Sequence, residues 1–272
     1  MSTVQSASRI SGLFERCRAD GRKAFIAYIT AGDPSPAHTT RLVLALERAG
    51  VDLIEVGVPF SDPIADGPVI QRASDRALRA GTNLAQVLNI VREIRGDSQI
   101  PLLLFSYMNP LLRHGFERLG AEAADAGVDG VLLTDLSIEE GQEPAAKLRA
   151  HGLDTVFLAA PTSTERRLRL IAERSSGFIY LVSRTGVTGE QQSLASSART
   201  LTQKMRELTD LPLAIGFGVS TPDQVAEVAQ LADGVVIGSA IVRFIEGNAE
   251  APDLPERLEK FVSELTAPLR RS

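Results

Sequence analysis

Short apolar runs alternate with amphipathic stretches along most of the chain. The runs are rich in Val, Ile and Leu, which is typical of parallel strands covered on both faces. The stretches between them have the helical period, with one apolar face. Strands are predicted to begin near residues 24, 52, 102, 130, 154, 177, 213 and 234. Eight alternating strand–helix units predict an α/β protein with a (βα)8 TIM barrel, for which about 250 residues are typical.

A recurring signal precedes several predicted strands: a helix ends, and Gly, an aliphatic residue and Asp follow. It occurs as Gly50-Val51-Asp52, Gly127-Val128-Asp129 and Gly152-Leu153-Asp154. Glycine suits the left-handed turn that ends a helix. With no linker or composition break in the sequence, we predict one domain over residues 1–272. An N-terminal covering helix is expected in 1–22, the barrel in 23–250 and an added C-terminal helix in 251–272.

The composition is that of an ordinary globular protein. Of the 272 residues, 44% are apolar and 23% are charged, and the net charge is −5. This charge argues against a nucleic-acid scaffold, which would carry a basic face. No apolar run approaches the length of a membrane span. The single Cys17 excludes an internal disulfide, and the start lacks a signal-peptide pattern. We therefore expect a cytoplasmic protein. The histidines show no metal-ligand spacing, so no metal is expected.

One apolar strand, at residues 53–58, carries an acid in its middle. If Ile54 and Val56 pack on helices, period-2 alternation directs Glu55 into the barrel. Burying a carboxylate costs several kcal/mol unless it is stabilised. Glu55 is therefore either paired with a neighbouring hydroxyl or Lys, or kept for proton transfer. Apolar surroundings would raise its pKa toward neutrality.

The loop after this strand is rich in proline and contains Asp62 and Asp66. Each of these residues can be read simply as a turn residue. In TIM barrels, however, catalytic groups lie at the C-terminal ends of strands and in the loops that follow them. We therefore predict that Glu55 and Asp66 form the working pair.

Glycine-rich turns follow the last three predicted strands. The segment at 183–194 contains two glycines, Gly186 and Gly189, among small polar residues, as expected of a lid. Turns at 216–218 and 238–239 follow strands seven and eight, where barrels of this kind usually bind phosphate. Each turn could instead be only a tight connection. The three tyrosines fall in strands one, three and six, and each is either a core aromatic or a site residue.

Five blocks of the sequence resemble the signature of the tryptophan synthase alpha chain family. They lie at residues 28–34, 53–68, 106–110, 180–189 and 216–220, in the family's order, and extend from the first strand to the eighth. The resemblance implies retro-aldol cleavage of indole-3-glycerol phosphate to indole and glyceraldehyde 3-phosphate. It assigns proton transfer to Glu55 and the indole nitrogen to Asp66. Whether Glu55 also serves as the base stays open.

The remaining site residues are candidates for substrate binding. Tyr180 matches the family's tyrosine near Glu55, and Thr188 matches its lid threonine. The whole predicted set comprises Tyr28, Tyr107, Tyr180, Thr188, Gly189, Phe217, Gly218, Gly238 and Ser239.

The family works with a separate beta chain, which carries pyridoxal phosphate, in an α2β2 heterotetramer. No cofactor is expected on the present chain. The residues expected to face the partner are Pro59, Ser61, Asp62, Pro63, Asn109 and Pro110. Ser137 and Ala27 stand where the family commonly has proline, and Ser137 leaves the strength of the coupling open.

Three alternatives remain: a stand-alone lyase that releases indole, a non-catalytic activator of the beta chain, and a related phosphate-binding barrel enzyme. Retention of both acids argues against the activator. No lysine falls on a predicted strand, which argues against the enzyme that forms indole-3-glycerol phosphate.

Overall fold

Parallel strands form a closed sheet at the centre of the molecule. The computed structural model describes residues 8–182, 191–216 and 218–270. In chain order the strands of these residues are β1 (Ala24–Thr30), β2 (Leu53–Gly57), β3 (Leu102–Ser106), β4 (Gly130–Leu133), β5 (Asp154–Val156), β6 (Leu158–Ala159), β7 (Ile179–Val182), β8 (Leu213–Gly216) and β9 (Gly234–Ile237). They pair in the order β5-β4-β3-β2-β1-β9-β8-β7-β6.

The predicted fifth strand is divided at Phe157 into β5 and β6. The first part pairs with β4 and the second with β7, both in parallel. One continuous stretch of chain therefore joins the two ends of the sheet order. The nine segments of the described residues correspond to the eight predicted strands, and the (βα)8 barrel is confirmed.

Helices surround the sheet. Those of the described residues are α1 (Arg9–Ala19), α2 (Pro36–Arg48), α3 (Pro68–Arg79), α4 (Leu84–Asp97), α5 (Met108–His114), α6 (Phe116–Ala126), α7 (Gln142–Ala150), α8 (Glu165–Arg174), α9 (Gln191–Arg206), α10 (Pro222–Ala229), α11 (Ser239–Gly247) and α12 (Leu254–Thr266), and a 3-10 turn follows at Ala267–Leu269. None of the described helices is long and apolar enough to cross a membrane. Helices α3, α5 and α11 are additional to one helix per strand. Helices α5 and α11 follow β3 and β9 almost directly, whereas a loop of ten residues separates α3 from β2.

Two apolar layers confirm the predicted facing of β2. Ile54 and Val56 belong to the layer between sheet and helices, whereas Leu53 belongs to the barrel interior. Helix α1 closes the N-terminal end of this interior, where Phe14 packs against Phe178 with ring centroids 5.6 Å apart. The N-terminal helix thus covers the barrel, as predicted.

The recurring Asp before a strand has a structural role. The carboxylates of Asp52 and Asp129 each accept a hydrogen bond from the backbone N–H near the start of a neighbouring strand, Phe25 N at 2.8 Å and Leu102 N at 2.7 Å, a donor that would otherwise be left unpaired. Asp233, directly before β9, accepts from Leu213 N at 2.9 Å in the same way. Asp154 differs, because its carboxylate accepts from the hydroxyl of Ser8 at 2.5 Å.

Asp129 is the most heavily bonded of these acids and provides a test. Besides the backbone bond, it pairs with Arg95 at 2.7 Å and Arg9 at 2.8 Å. We expect Asp129→Ala to lower the free energy of unfolding by about 3–5 kcal/mol, because it leaves the mostly buried Arg95 guanidinium without its carboxylate partner and the Leu102 N–H unpaired. Asp125→Ala, which removes an exposed pair with Arg92, should cost no more than about 1 kcal/mol. Urea unfolding measures both; equal costs would contradict this role.

Candidate active site

Glu55 lies at the middle of β2, in register with Tyr28 on β1 and Leu103 on β3. Its side chain is 1% exposed, and its Oε1 has no hydrogen-bond partner among the described residues. The alternative of a structurally paired acid therefore finds no support in these residues. Burial raises the pKa of Glu55 to about 8. At neutral pH the group carries a proton that it can donate.

Asp66 lies in the loop between β2 and α3 and is half-buried. The hydroxyl of Tyr107 donates to its Oδ2 at 2.9 Å and accepts from the backbone N–H of Ala65 at 3.0 Å. This second bond orients the hydroxyl toward the carboxylate. Burial raises the pKa of Asp66 to about 6, against the Tyr107 hydrogen bond, which lowers it. Asp66 is therefore mostly ionised at neutral pH.

The two carboxyl groups raise the pKa values of the same two tyrosines. Burial chiefly raises the pKa of Tyr28 and of Tyr180, and the charges of both Glu55 and Asp66 raise them further. Both acids therefore lie near these two tyrosines, and we call the space around these four side chains the pocket. Two carboxyl groups with separated pKa values in one pocket divide into an acid and an ionised partner.

Two glycines make room for the tyrosine hydroxyls. A Cβ on Gly57 would lie 2.2 Å from the hydroxyl oxygen of Tyr28, and a Cβ on Gly216 would lie 2.2 Å from that of Tyr180. The sequence pattern predicted Gly216 only as part of a phosphate-binding turn, and this contact with Tyr180 was not predicted. For Gly57 a signal was available in the sequence, because this residue lies two positions beyond Glu55 and therefore on the same face of the strand.

Aromatic rings line the pocket. Tyr28 meets Phe105 edge-on, with centroids 5.0 Å apart, and Phe60 lies 5.2 Å from the ring of Tyr107. Edge-to-face and tilted rings leave flat apolar surfaces that suit a planar aromatic ligand.

The turn after β9 leads into α11 through Gly238 and Ser239. A Cβ on Gly238 would lie 3.3 Å from the Cβ of Tyr28, which places this helix start beside the pocket. Free backbone N–H groups at a helix N-terminus bind anions. Gly218 is exposed after β8.

Part of the predicted site falls outside the described residues. Thr188, Gly189 and Phe217 lie there, as does most of the predicted lid. The last residues of that lid, 191–194, belong to α9. Within the described part of the chain, no group of three or more His, Cys, Asp or Glu side chains could hold a metal ion.

The residues predicted to face a partner differ in exposure. Ser61, Asp62 and Asn109 are exposed, Pro63 and Pro110 are half-buried, and Pro59 is buried within the chain. The same two segments carry large exposed apolar side chains, namely Ile64 (85% exposed) and Leu112 (54%).

The fold is a (βα)8 barrel, and two acids with raised pKa values beside the same tyrosines are typical of acid–base enzymes on such barrels. Comparison with known proteins identifies the family. The profile of the tryptophan synthase alpha chain matches residues 14–269. The chain therefore belongs to the tryptophan synthase alpha chain family, and it is a lyase that cleaves indole-3-glycerol phosphate in tryptophan synthesis.

Individual relatives agree with this assignment. The alpha chain of Solibacter usitatus is 61% identical over 258 residues, which cover 95% of this chain and 97% of the relative. A crystal structure of tryptophan synthase subunit alpha from Legionella pneumophila str. Paris has a TM-score of 0.90 at 35% identity, covering 96% and 98% of the two chains. A structure of Mycobacterium tuberculosis tryptophan synthase has a TM-score of 0.88 at 38% identity, covering 98% and 100%.

The burial of Glu55 predicts a pH-dependent stability. Its pKa rises from an ordinary 4.5 to about 8 in the folded chain. Its stabilising contribution is therefore complete below about pH 4.5 and is lost as the pH rises through 8. Glu55→Gln does not ionise. Its stability relative to the parent should thus increase between pH 5 and 8, by at most about 1.4 kcal/mol per pH unit. Urea unfolding across this range measures the difference.

The exposed Glu173 offers a control for the substitution itself. Glu173→Gln should change the free energy of unfolding by no more than about 0.5 kcal/mol, as surface substitutions usually do. A difference between Glu55→Gln and the parent that stays flat from pH 5 to 8 would show that Glu55 ionises in the folded chain as it does in the unfolded one.

Proposed function

We propose that Glu55 and Asp66 perform the cleavage of indole-3-glycerol phosphate. The bond between indole C3 and the glycerol chain breaks only when C3 is protonated, because the ring then leaves as neutral indole. Glu55 is the general acid that delivers this proton. Asp66, ionised, accepts a hydrogen bond from the indole N–H and stabilises the positive charge that protonation brings to the ring.

Glu55 both donates a proton and regains one in each reaction cycle. Once it has protonated C3, Glu55 is a carboxylate in an apolar interior. It then accepts the proton of the glycerol hydroxyl beside the breaking bond, so that glyceraldehyde 3-phosphate forms and the acid is restored. The observation that carries this assignment is the unpartnered Glu55 Oε1 in a fully buried side chain. A purely structural acid at this position would have a partner.

The rest of the pocket fits the two ends of the substrate. The rings of Tyr28, Phe105 and Tyr107 offer flat surfaces for the indole. The start of α11 at Gly238 and Ser239 offers backbone N–H groups for the phosphate.

Replacement of Glu55 by Gln tests the general acid. We expect indole release from indole-3-glycerol phosphate to fall by at least about 10² in kcat, since positioned acid–base groups contribute about 10²–10⁴. In the parent enzyme, kcat should fall above about pH 8 as Glu55 loses its proton, and below about pH 6 as Asp66 gains one.

Glu173→Gln serves again as the control and should retain the parental kcat. Appreciable cleavage by Glu55→Gln would remove Glu55 from the central role. A kcat that is unchanged from pH 5 to 9 would contradict the assignment of both carboxyl groups.

We further propose that the chain works with a beta chain in an α2β2 assembly, and that pyridoxal phosphate belongs to that partner. Exposed Ile64 and Leu112 lie on the loop after β2 and on α5, where the family resemblance places the partner. Large exposed apolar side chains in adjoining segments mark an interaction surface.

The hydroxyl of Ser137 donates a hydrogen bond of 2.9 Å to the carboxylate of Glu140 within its own loop. A cytoplasmic location fits the free thiol of Cys17.

Leu112 tests the partner surface without touching the pocket. Leu112→Asp should weaken beta-chain binding at least tenfold, about 1.4 kcal/mol, and should leave cleavage by the isolated chain unchanged. Leu112→Met keeps the apolar surface and should bind as the parent does. Titration calorimetry and the cleavage rate with and without a beta chain provide the measurements. Equal binding by both variants would exclude this surface, and equal parental rates alone and mixed would favour a stand-alone lyase.

A further inference from the structure

Four alternating charges link three elements beside the pocket. Arg76 on α3 donates two hydrogen bonds, of 2.7 and 2.9 Å, to the carboxylate of Asp33 in the loop after β1. Its Nη1 donates a third, of 2.7 Å, to Glu246. Arg72, one turn earlier on α3, grips the same Glu246 through two bonds of 2.7 Å. We call Asp33, Arg76, Glu246 and Arg72 the charge ladder.

The ladder joins the two helices that begin at the pocket. Helix α3 starts two residues after Asp66, and α11 starts at Ser239. Between the ladder and the pocket, Val69 and Ala73 of α3 cluster with Val242 of α11 and with Tyr28. This apolar contact holds the helices together, but apolar contacts are not directional and allow helices to slide.

Each helix is tied to its own part of the site. The side chain of Gln71 on α3 donates to the backbone carbonyl of Asp66 at 2.9 Å. On α11, Ser239 and Gly238 form the proposed phosphate-binding turn at the helix start. The position of α3 along α11 therefore sets the separation between the Asp66 carboxylate and the phosphate-binding turn.

We propose that Glu246 is a positioning residue that fixes this separation. The inference rests on the proposed function of Asp66 and of the turn at 238–239. Two guanidinium groups one turn apart on α3 hold one carboxylate of α11, so both can bond only at a single axial register. A slide by one residue moves a helix about 1.5 Å, which breaks hydrogen bonds of this length. A misplacement of about 1 Å between reacting groups can cost about 10²-fold in rate.

A substrate that spans both halves of the site reports this register, whereas ligands that occupy one half do not. In Glu246→Gln, we expect kcat/KM for indole-3-glycerol phosphate to fall 10- to 100-fold. The Kd of indole, which probes the Asp66 half, and the Kd of glycerol 3-phosphate, which probes the phosphate half, should each stay within twofold of the parent. Titration calorimetry and the indole-release assay measure the three quantities.

Glu250→Gln, at an exposed position just beyond α11, is the matched control and should keep the parental kcat/KM. Arg72→Met is a second variant, for use if Glu246→Gln folds poorly, and it leaves Asp33 paired with Arg76. It should likewise lower kcat/KM and leave the Kd values of indole and glycerol 3-phosphate within twofold of the parent. Unchanged kcat/KM in a folded variant would overturn the inference. So would a loss of glycerol 3-phosphate affinity as large as the loss of kcat/KM, which indicates local damage to the turn. Failure of the parent enzyme to release indole would instead overturn the proposed function.

Discussion

The carboxyl group of Glu55 lies inside the barrel. Its Oε1 has no hydrogen-bond partner among the described residues. A charge is unfavourable there, so the group keeps its proton to about pH 8. This protonated state depends on several features at once: the inward face of β2, the closure of the sheet, and the covering of its N-terminal end by α1. An opening that admitted water would stabilise the carboxylate and return its pKa toward 4.5.

The interior leaves room for polar groups by omitting side chains. Gly57 and Gly216 occupy positions where any Cβ would collide with the hydroxyl of Tyr28 or Tyr180. Because protein interiors are close-packed, these two hydroxyls fit only because the strand positions beside them carry no side chain. The shape of the pocket is thus determined as much by the two glycines as by the residues that act in it.

Two of the additional helices, α3 and α5, lie in segments that carry both a pocket residue and an exposed apolar residue. The loop before α3 places Asp66 against Tyr107 on its inner side and exposes Ile64 on its outer side. The exposed side chain and the carboxylate are therefore only two positions apart in one loop. Helix α5 begins directly after Tyr107 and presents Leu112. In both segments, a pocket residue and a surface residue belong to one short piece of chain.

The sequence by itself determined the eight strand–helix units, the inward direction of Glu55 and the covering role of α1, because these follow from local periodicity. The strand and the acidic loop after it predicted the pair Glu55 and Asp66, and the family blocks added the role of each acid. Only the tertiary structure decided that Glu55 Oε1 lacks a partner among the described residues, that Gly216 accommodates Tyr180, and that Glu246 bridges α3 and α11. These features depend on side chains far apart in the chain. The pairing of β7 with β8 brings Gly216 to Tyr180, and the pairing of β9 with β1 brings α11 beside α3.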